Sequence, residues 1–479
     1  MTDTVQSQAT VTEPAPPARL ASGVLSNFDI AASTMANIAP AMSFFFGFGL
    51  IAGTAGIASP LTLIAAMVAI LLLGNTLSQF CRSRPSTGSF VTFIGRAFGP
   101  YAAVVTSIVL ITGYILAIAS VVTISGGWTR TILQNYLHIS IPWQLLSAVL
   151  TVAALLLIVR GAALSTKAAA VFFAFELGLL LIVAVWLLVE NAGHLNLHPF
   201  DPGRLSGGFS GLSLGFPLAV YMFIGWENSA VLAEESKDPR VGIGKAIFSS
   251  VILLGLTYVL LSYATVMAYH ENVDALTGAS VPFVDAAKKV LGFAAFLAYI
   301  AGFTSIFGTL LSAANSQARI LFNSGREGLL PSWLGQVTAG ARTPWAAFIV
   351  YLGLSLGITY VFGWSTDPVV FFGEIGTLGT ILVALTYLVA NLALPVYYRR
   401  FHASEVHPLR HGLLPLLGAA AIGFPLYELI KPGQPKPFST YPWIALGVVA
   451  VALVWGAVVA RRDPTLGDRV GAIVADEGR

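Results

Sequence analysis

Apolar runs of about twenty residues recur along the whole chain, and no other feature limits its fold so sharply. Wound as a helix at about 1.5 Å per residue, each run is long enough to cross some 30 Å of hydrocarbon. Inside a bilayer every backbone N–H and C=O needs a partner, so only helices or closed barrels cross it. The short alternation of apolar and polar residues that marks a barrel strand is absent. Helical spans follow, and composition agrees: 56% of residues are hydrophobic, only 10% are charged, and the mean hydropathy is +0.81. A soluble domain would carry roughly 25% charged residues.

Twelve candidate spans are expected, at 28–53, 57–80, 101–126, 143–160, 168–189, 211–234, 243–268, 292–322, 344–362, 368–397, 412–430 and 441–460. An even number puts both ends of the chain on one side, and basic residues name that side. With the N-terminus inside, the outer loops hold only Arg130, Arg204, Lys288, Lys289, Lys431 and Lys436, leaving 19 of the 25 Lys and Arg inside. Both termini are therefore expected in the cytoplasm, and every Lys, Arg and His in a loop or at a membrane edge. Residues 1–21, rich in Pro and Thr, read as a disordered cytoplasmic tail and not a signal peptide. The lone Cys81 excludes an intramolecular disulfide, and the net charge of +3 is too small to imply a nucleic acid partner.

Two spans look broken. In "STMANIAPAMSFFFGFG" Pro40 cannot donate to the helix and clashes with the preceding turn, so the helix should stop near Ile38 and restart near Phe44. In "YMFIGWENSAVL" Gly225 stands mid-span beside Trp226, Glu227 and Asn228. The broken spans are the first and the sixth, the spacing expected of five spans duplicated and inverted, and paired interruptions mark a transporter's binding site. Unwound backbone in hydrocarbon needs partners, which a ligand can supply. Ala39 and Pro40 form the first break, and the N–H groups of Ala41, Met42 and Ser43 suit a carboxylate. The carbonyls of Phe223 and Ile224 suit an ammonium. A proline kink packed against other helices is the alternative.

Three stretches resemble the amino acid/polyamine/organocation transporter superfamily. They are "RPSTGSFVTFIGRAFGP" (residues 84–100), "GWENSAVLAEESKDPRVGIGKAI" (225–247) and "NSQARILFNSGREGLLP" (315–331). The resemblance implies an all-α polytopic membrane protein of twelve transmembrane helices. Residues 22–200 would form one five-span repeat and 201–400 its inverted copy, with two further spans in 401–465 and a cytoplasmic tail at 466–479. It implies secondary active transport of an amino acid or amine across the cell membrane, with no enzymatic activity, no cofactor and no obligate protein partner. The first break here reads "IAPAMS", whereas many relatives have a glycine-rich turn. Glu176 stands where many relatives carry a lysine in place of a sodium ion.

The deep ionisable residues are the acids Glu176, Glu227 and Glu374, and acids at that depth carry protons or face cationic ligand groups. Glu227 aligns with an acid that several relatives keep in the sixth span; a hydrogen-bonded packing role is the alternative. Glu176 could join Ser305 and Thr309, where relatives place the sodium or lysine charge, although those hydroxyls could equally bond back to their own helix. Glu374 lies in "GEIGTLG", whose glycines at 373, 376 and 379 mark close helix packing. Tyr221 occupies the place of an aromatic outer gate, Trp226 lines the pocket or packs, and residues 277–292 form a short lid helix. "GLSLG" at 211–215 fits a hydrolase pattern but has no deep histidine beside it, and the only Gly-Lys pair is followed by alanine, so there is no Walker A motif. An ion gradient is left as the energy source. Import of an amino acid by proton symport is the leading expectation. An exchanger or a polyamine carrier of the same fold, and a channel or nutrient-sensing receptor, are the alternatives.

Overall fold

The computed structural model describes residues 20–340 and 342–475; positions 1–19 and 476–479 of the two expected tails lie outside the described residues. Among the described residues the chain is helical, with one isolated parallel β-bridge, Leu25 to Ser236. The helices are α1 (Asn27–Ile38), α2 (Pro40–Ala55), α3 (Ser59–Ser83), α4 (Ser89–Phe98), α5 (Pro100–Ile132), α6 (Trp143–Val159), α7 (Ala162–Glu190), α8 (Phe209–Tyr221) and α9 (Asn228–Val231). They continue as α10 (Gly242–Ala268), α11 (Val273–Thr277), α12 (Pro282–Leu291), α13 (Phe296–Arg326), α14 (Trp345–Gly363), α15 (Pro368–Phe401), α16 (Leu414–Ile430), α17 (Tyr441–Arg462) and α18 (Leu466–Arg469).

Among the described residues nine helical runs are long and apolar enough to cross a membrane. The first of them, Asn27–Ser83, has 57 residues. It exceeds one crossing and is divided at Ala39 and at Gly56–Ala58 into α1, α2 and α3. Whole helix flanks remain apolar and uncovered: on α17 Trp443 is 74% exposed and Val454 67%. Water would not tolerate patches of that extent, and lipid does. The protein is an integral membrane protein.

Long α5 and α15 lie against each other through small residues. A Cβ added at Gly379 would stand 2.7 Å from the Gly113 carbonyl oxygen, so the expected packing role of "GEIGTLG" holds there. Gly373 instead faces open space. α1 starts on a capping box in which Ser26 Oγ accepts from the Asp29 N–H at 3.2 Å and Asp29 accepts from the Ser26 N–H at 2.9 Å. Such a cap stabilises a helix start by about 1 kcal/mol. α12 is the helix expected in 277–292, and its Phe283 ring packs 5.7 Å from Phe44 and 5.9 Å from Phe45 on α2. The stretch after Arg84 was expected as a loop but holds α4, whose Phe93 stacks on Phe80 of α3 at 4.7 Å.

Both described ends of the chain reach the same face of the bundle. The Leu20 N–H lies 3.4 Å from Glu234, and the Ala475 N–H donates to the Pro85 carbonyl at 3.0 Å. Where the expected tails are described they are packed: Leu20, Val470 and Val474 are each 2% exposed. Gly471 donates its N–H to Glu327 at 3.0 Å, and its carbonyl accepts from Arg84 Nε at 2.8 Å.

Candidate substrate site at two helix breaks

The first break is a single residue wide. α1 ends at Ile38, Ala39 takes left-handed dihedrals (φ 55°, ψ 69°), and α2 begins at Pro40. The restart expected near Phe44 thus comes four residues earlier. Proline is well suited to a first helical position, where its missing N–H costs nothing and its φ is already helical. Of the donors expected to remain open, Met42 N–H bonds the Ser305 hydroxyl at 3.1 Å and Ser43 N–H bonds the Ala39 carbonyl at 2.8 Å. Ala39, Pro40 and Ala41 are buried behind the site, while Met42 and Ser43 line it.

The second break runs from α8, which ends at Tyr221, to α9, which begins at Asn228. Gly225 has φ 106°, a conformation open to glycine, and a Cβ there would sit 2.9 to 3.0 Å from Asn37 atoms. Its N–H donates to Glu227 Oε2 at 3.0 Å, and Tyr114 on α5 donates to Glu227 Oε1 at 2.7 Å. Glu227 therefore braces the unwound turn and does not line the cavity. The Phe223 carbonyl accepts the Trp226 N–H at 3.1 Å, and the Phe223 ring is buried 5.2 Å from Tyr258. Ile224 does reach the cavity. Trp226 is fully buried, packed 5.5 Å from Tyr387 and 6.4 Å from Phe90.

The two breaks meet. Asn37 Nδ2 donates to the Gly225 carbonyl at 3.4 Å, the Thr34 and Ser229 hydroxyls lie 2.7 Å apart, and Asn228 Nδ2 donates to Ser33 Oγ at 3.2 Å. Ser312 on α13 joins them, donating to the Ser33 carbonyl at 2.6 Å. Backbone bonds from Leu25 to Glu235 and from Lys237 to Leu25 tie the chain before α1 to the chain after α9. Sequence reasoning missed this seam. Its signal was the trio Ser33, Thr34 and Asn37 on one face of an apolar helix.

Between the breaks lies a cavity with about 460 Å³ of empty space, open solvent included. Ile38, Met42, Ser43, Tyr221 and Ile224 come from the break region, and α5, α13 and α15 supply the walls. Among the described residues no charged side chain lines it. Tyr221 and Phe372 also line a second cavity, which shares Phe46 with a wider one bordered by Arg130, Asp285, Lys288 and Asp367. The series leads to the face opposite the described ends.

Thr309 lines the cavity, and its hydroxyl bonds back to the Ser305 carbonyl at 2.8 Å and reaches the Ala36 carbonyl at 3.2 Å. Glu176 on α7 is 1% exposed, and neither of its oxygens has a hydrogen-bond partner among the described residues. The Ser305 hydroxyl lies near it but outside hydrogen-bond geometry. Glu374 is half-buried and does not border this cavity.

Toward the face with the chain ends stand two buried ion pairs. Arg319 holds Glu235 at 2.9 Å, with 0% and 3% of the side chains exposed, and Arg326 holds Glu234. From the sequence, Lys and Arg were expected only in loops or at membrane edges. Arg319, two turns from the end of α13, is fully buried in the protein, where Glu235 and the Asn315 oxygen at 2.8 Å take its two terminal nitrogens and Nε has no partner among the described residues.

Residues 24–458 match the family profile described as amino acid permease. The chain belongs to the amino acid permease family. Relatives include the branched-chain amino acid permease of Bacillus subtilis, 24% identical over 417 residues, covering 83% of this chain and 85% of the relative. The chloroplastic cationic amino acid transporter 7 of Arabidopsis thaliana is 27% identical over 421 residues, 82% and 68% of the two chains. The gamma-aminobutyric acid permease of Escherichia coli is 25% identical over 445 residues, 87% and 91%. Members of the amino acid permease family and these relatives are transporters, not enzymes.

Proposed function

We propose that this permease is a twelve-span secondary transporter that imports an amino acid by proton symport across the cell membrane. In this reading both termini are cytoplasmic, residues 22–200 and 201–400 are inverted repeats, and 401–465 adds two spans. The observation that carries it is the meeting of the two broken helices at one cavity. Met42, Ser43, Tyr221 and Ile224 surround a zwitterion there; the Met42 and Ser43 N–H groups have protein acceptors, so a substrate carboxylate would take them over from Ser305 and Ala39. A polyamine fits less well, because no acidic side chain lines the cavity to receive a second ammonium.

Among the deep acids, we assign proton coupling to Glu176. Its buried carboxyl is unpartnered, so its charge is one that only a proton or cation can balance. The Ser305 hydroxyl near it accepts the Met42 N–H at the first break. Glu227, satisfied by Tyr114 and Gly225, holds the second break in shape. The test is purified protein in liposomes, given labelled amino acids under an inward proton gradient. Accumulation should collapse to gradient-independent exchange in Glu176→Gln. Glu227→Gln should lower the rate and keep the pH dependence. Uptake driven by sodium alone, with Glu176→Gln unaffected, would refute the coupling assignment.

A further inference from the structure

At the cavity's end toward the chain termini stands Gln317, a residue with no part in either break. It lies on the face of α13 that also carries Thr309 and Ala313, at spacings of four residues, so the three side chains stack along one wall of the cavity. From Thr309 to Gln317 this wall runs about 12 Å along the helix. Gln317 is 7% exposed, and one end of its amide is held by the hydroxyl of Tyr351 on α14, itself 1% exposed.

That hydroxyl fixes more than position. It also lies 3.1 Å from the Tyr114 carbonyl. A phenol has one proton and cannot donate to the Tyr114 carbonyl and the Gln317 oxygen together. Turning the amide removes the conflict: Gln317 Nε2 donates to the Tyr351 oxygen, and Tyr351 donates to the Tyr114 carbonyl. The orientation of a glutamine amide is settled by such a network. Gln317 Oε1 is then the acceptor left for the cavity.

The remaining walls are apolar, with Ile118 and Val121 from α5, Ala313 from α13 and Phe372 from α15. A substrate whose amino and carboxylate groups sit at the breaks directs its side chain along these walls toward Gln317. A neutral side chain meets apolar contacts and one amide dipole. A cationic side chain loses its water and finds a dipole in place of a countercharge, which does not offset the several kcal/mol of desolvation.

We propose that Gln317, positioned by Tyr351, contacts the substrate side chain and makes the cavity select neutral over cationic amino acids. The proposal rests on the amino acid transport reading above. It is tested by uptake of labelled leucine and alanine into proteoliposomes, with unlabelled leucine, lysine and 1,4-diaminobutane as competitors. In the unmodified protein leucine competes, and lysine and the diamine do not. Gln317→Glu supplies the missing charge and lowers the lysine concentration needed for half-inhibition by roughly tenfold or more. Tyr351→Phe raises KM and leaves the competitor order unchanged, as expected of a positioning residue.

Lysine competing as well as leucine in the unmodified protein overturns the proposal. So does an unchanged competitor order in a Gln317→Glu protein that still takes up leucine. If that variant does not fold, Gln317→Asn, which withdraws the amide by one carbon, decides: a KM equal to the unmodified value for both labelled substrates overturns it. Failure to take up any amino acid would instead refute the underlying transport reading.

Discussion

Replacing Glu327 by glutamine should remove much of the pH dependence of this permease's stability. Glu327 follows α13 directly and is 2% exposed. One oxygen accepts the Gly471 N–H at 3.0 Å, and the other has no partner. Burial pushes its pKa up from 4.5 to about 7, with Glu234 adding to the rise, against the opposing pull of Asn323, the Gly471 N–H and Arg326. The sign follows from proton counting. Below about pH 4.5 the carboxyl is neutral both folded and unfolded, and its burial costs no charge. As pH rises the unfolded chain loses the proton first, so stability falls until the folded carboxyl has also ionised, above about pH 7. A shift from 4.5 to about 7 corresponds to about 3 kcal/mol in all, of which about 2 kcal/mol falls between about pH 5.5 and 8. Thermal melting in detergent across that range should show the unmodified protein losing several degrees more than Glu327→Gln. Equal slopes for the two proteins would refute the reasoning, since the substituted glutamine keeps the volume and an acceptor while removing only the titration.

Two further perturbations test the break and the closed end. Gly225→Ala forces a side chain into a φ of 106° and to within 3.0 Å of Asn37, so it should lower the melting temperature and cut transport more than tenfold, roughly. Unchanged uptake would show that the turn relaxes at no cost. Arg326→Ala strands Glu234 in the interior and should destabilise by about 3–5 kcal/mol. The pair Arg326→Met with Glu234→Leu should recover most of that loss. A double variant no more stable than the single one would mean that the ion pair itself stabilises the fold.

Much of the fold was legible because hydrocarbon makes simple demands. Each span must be apolar for about twenty residues. The long helices accordingly begin and end within a few residues of the expected bounds: α10 at Gly242–Ala268 against 243–268, α17 at Tyr441–Arg462 against 441–460. The misses came where partners decide. Pro40 read as a wide gap because its clash with a preceding turn was weighed and its fitness to start a new helix was not. α4 was hidden between two spans because its ten residues are too few to cross a bilayer, and it is held by packing on neighbouring helices, as with Phe93 on Phe80. Arg319 looked like an edge cation because its partner, Glu235, lies 84 positions earlier in the chain.

The acids show the same limit at the candidate site. Depth and the resemblance to relatives that keep an acid in the sixth span put Glu227 first. The acids' partners differ. Glu227 has a tyrosine on one oxygen and its own turn's N–H on the other, so it answers the backbone's need for an acceptor where the helix is open. Glu235 answers a buried guanidinium. Glu176 answers nothing within hydrogen-bond reach. A buried charge persists when something compensates it, and a group left uncompensated in one state of a transporter is one whose balance can change with the cycle. In the function proposed above, Glu227 is therefore the brace of the second break, and Glu176, near the Ser305 hydroxyl that accepts the Met42 N–H, is the group whose protonation changes.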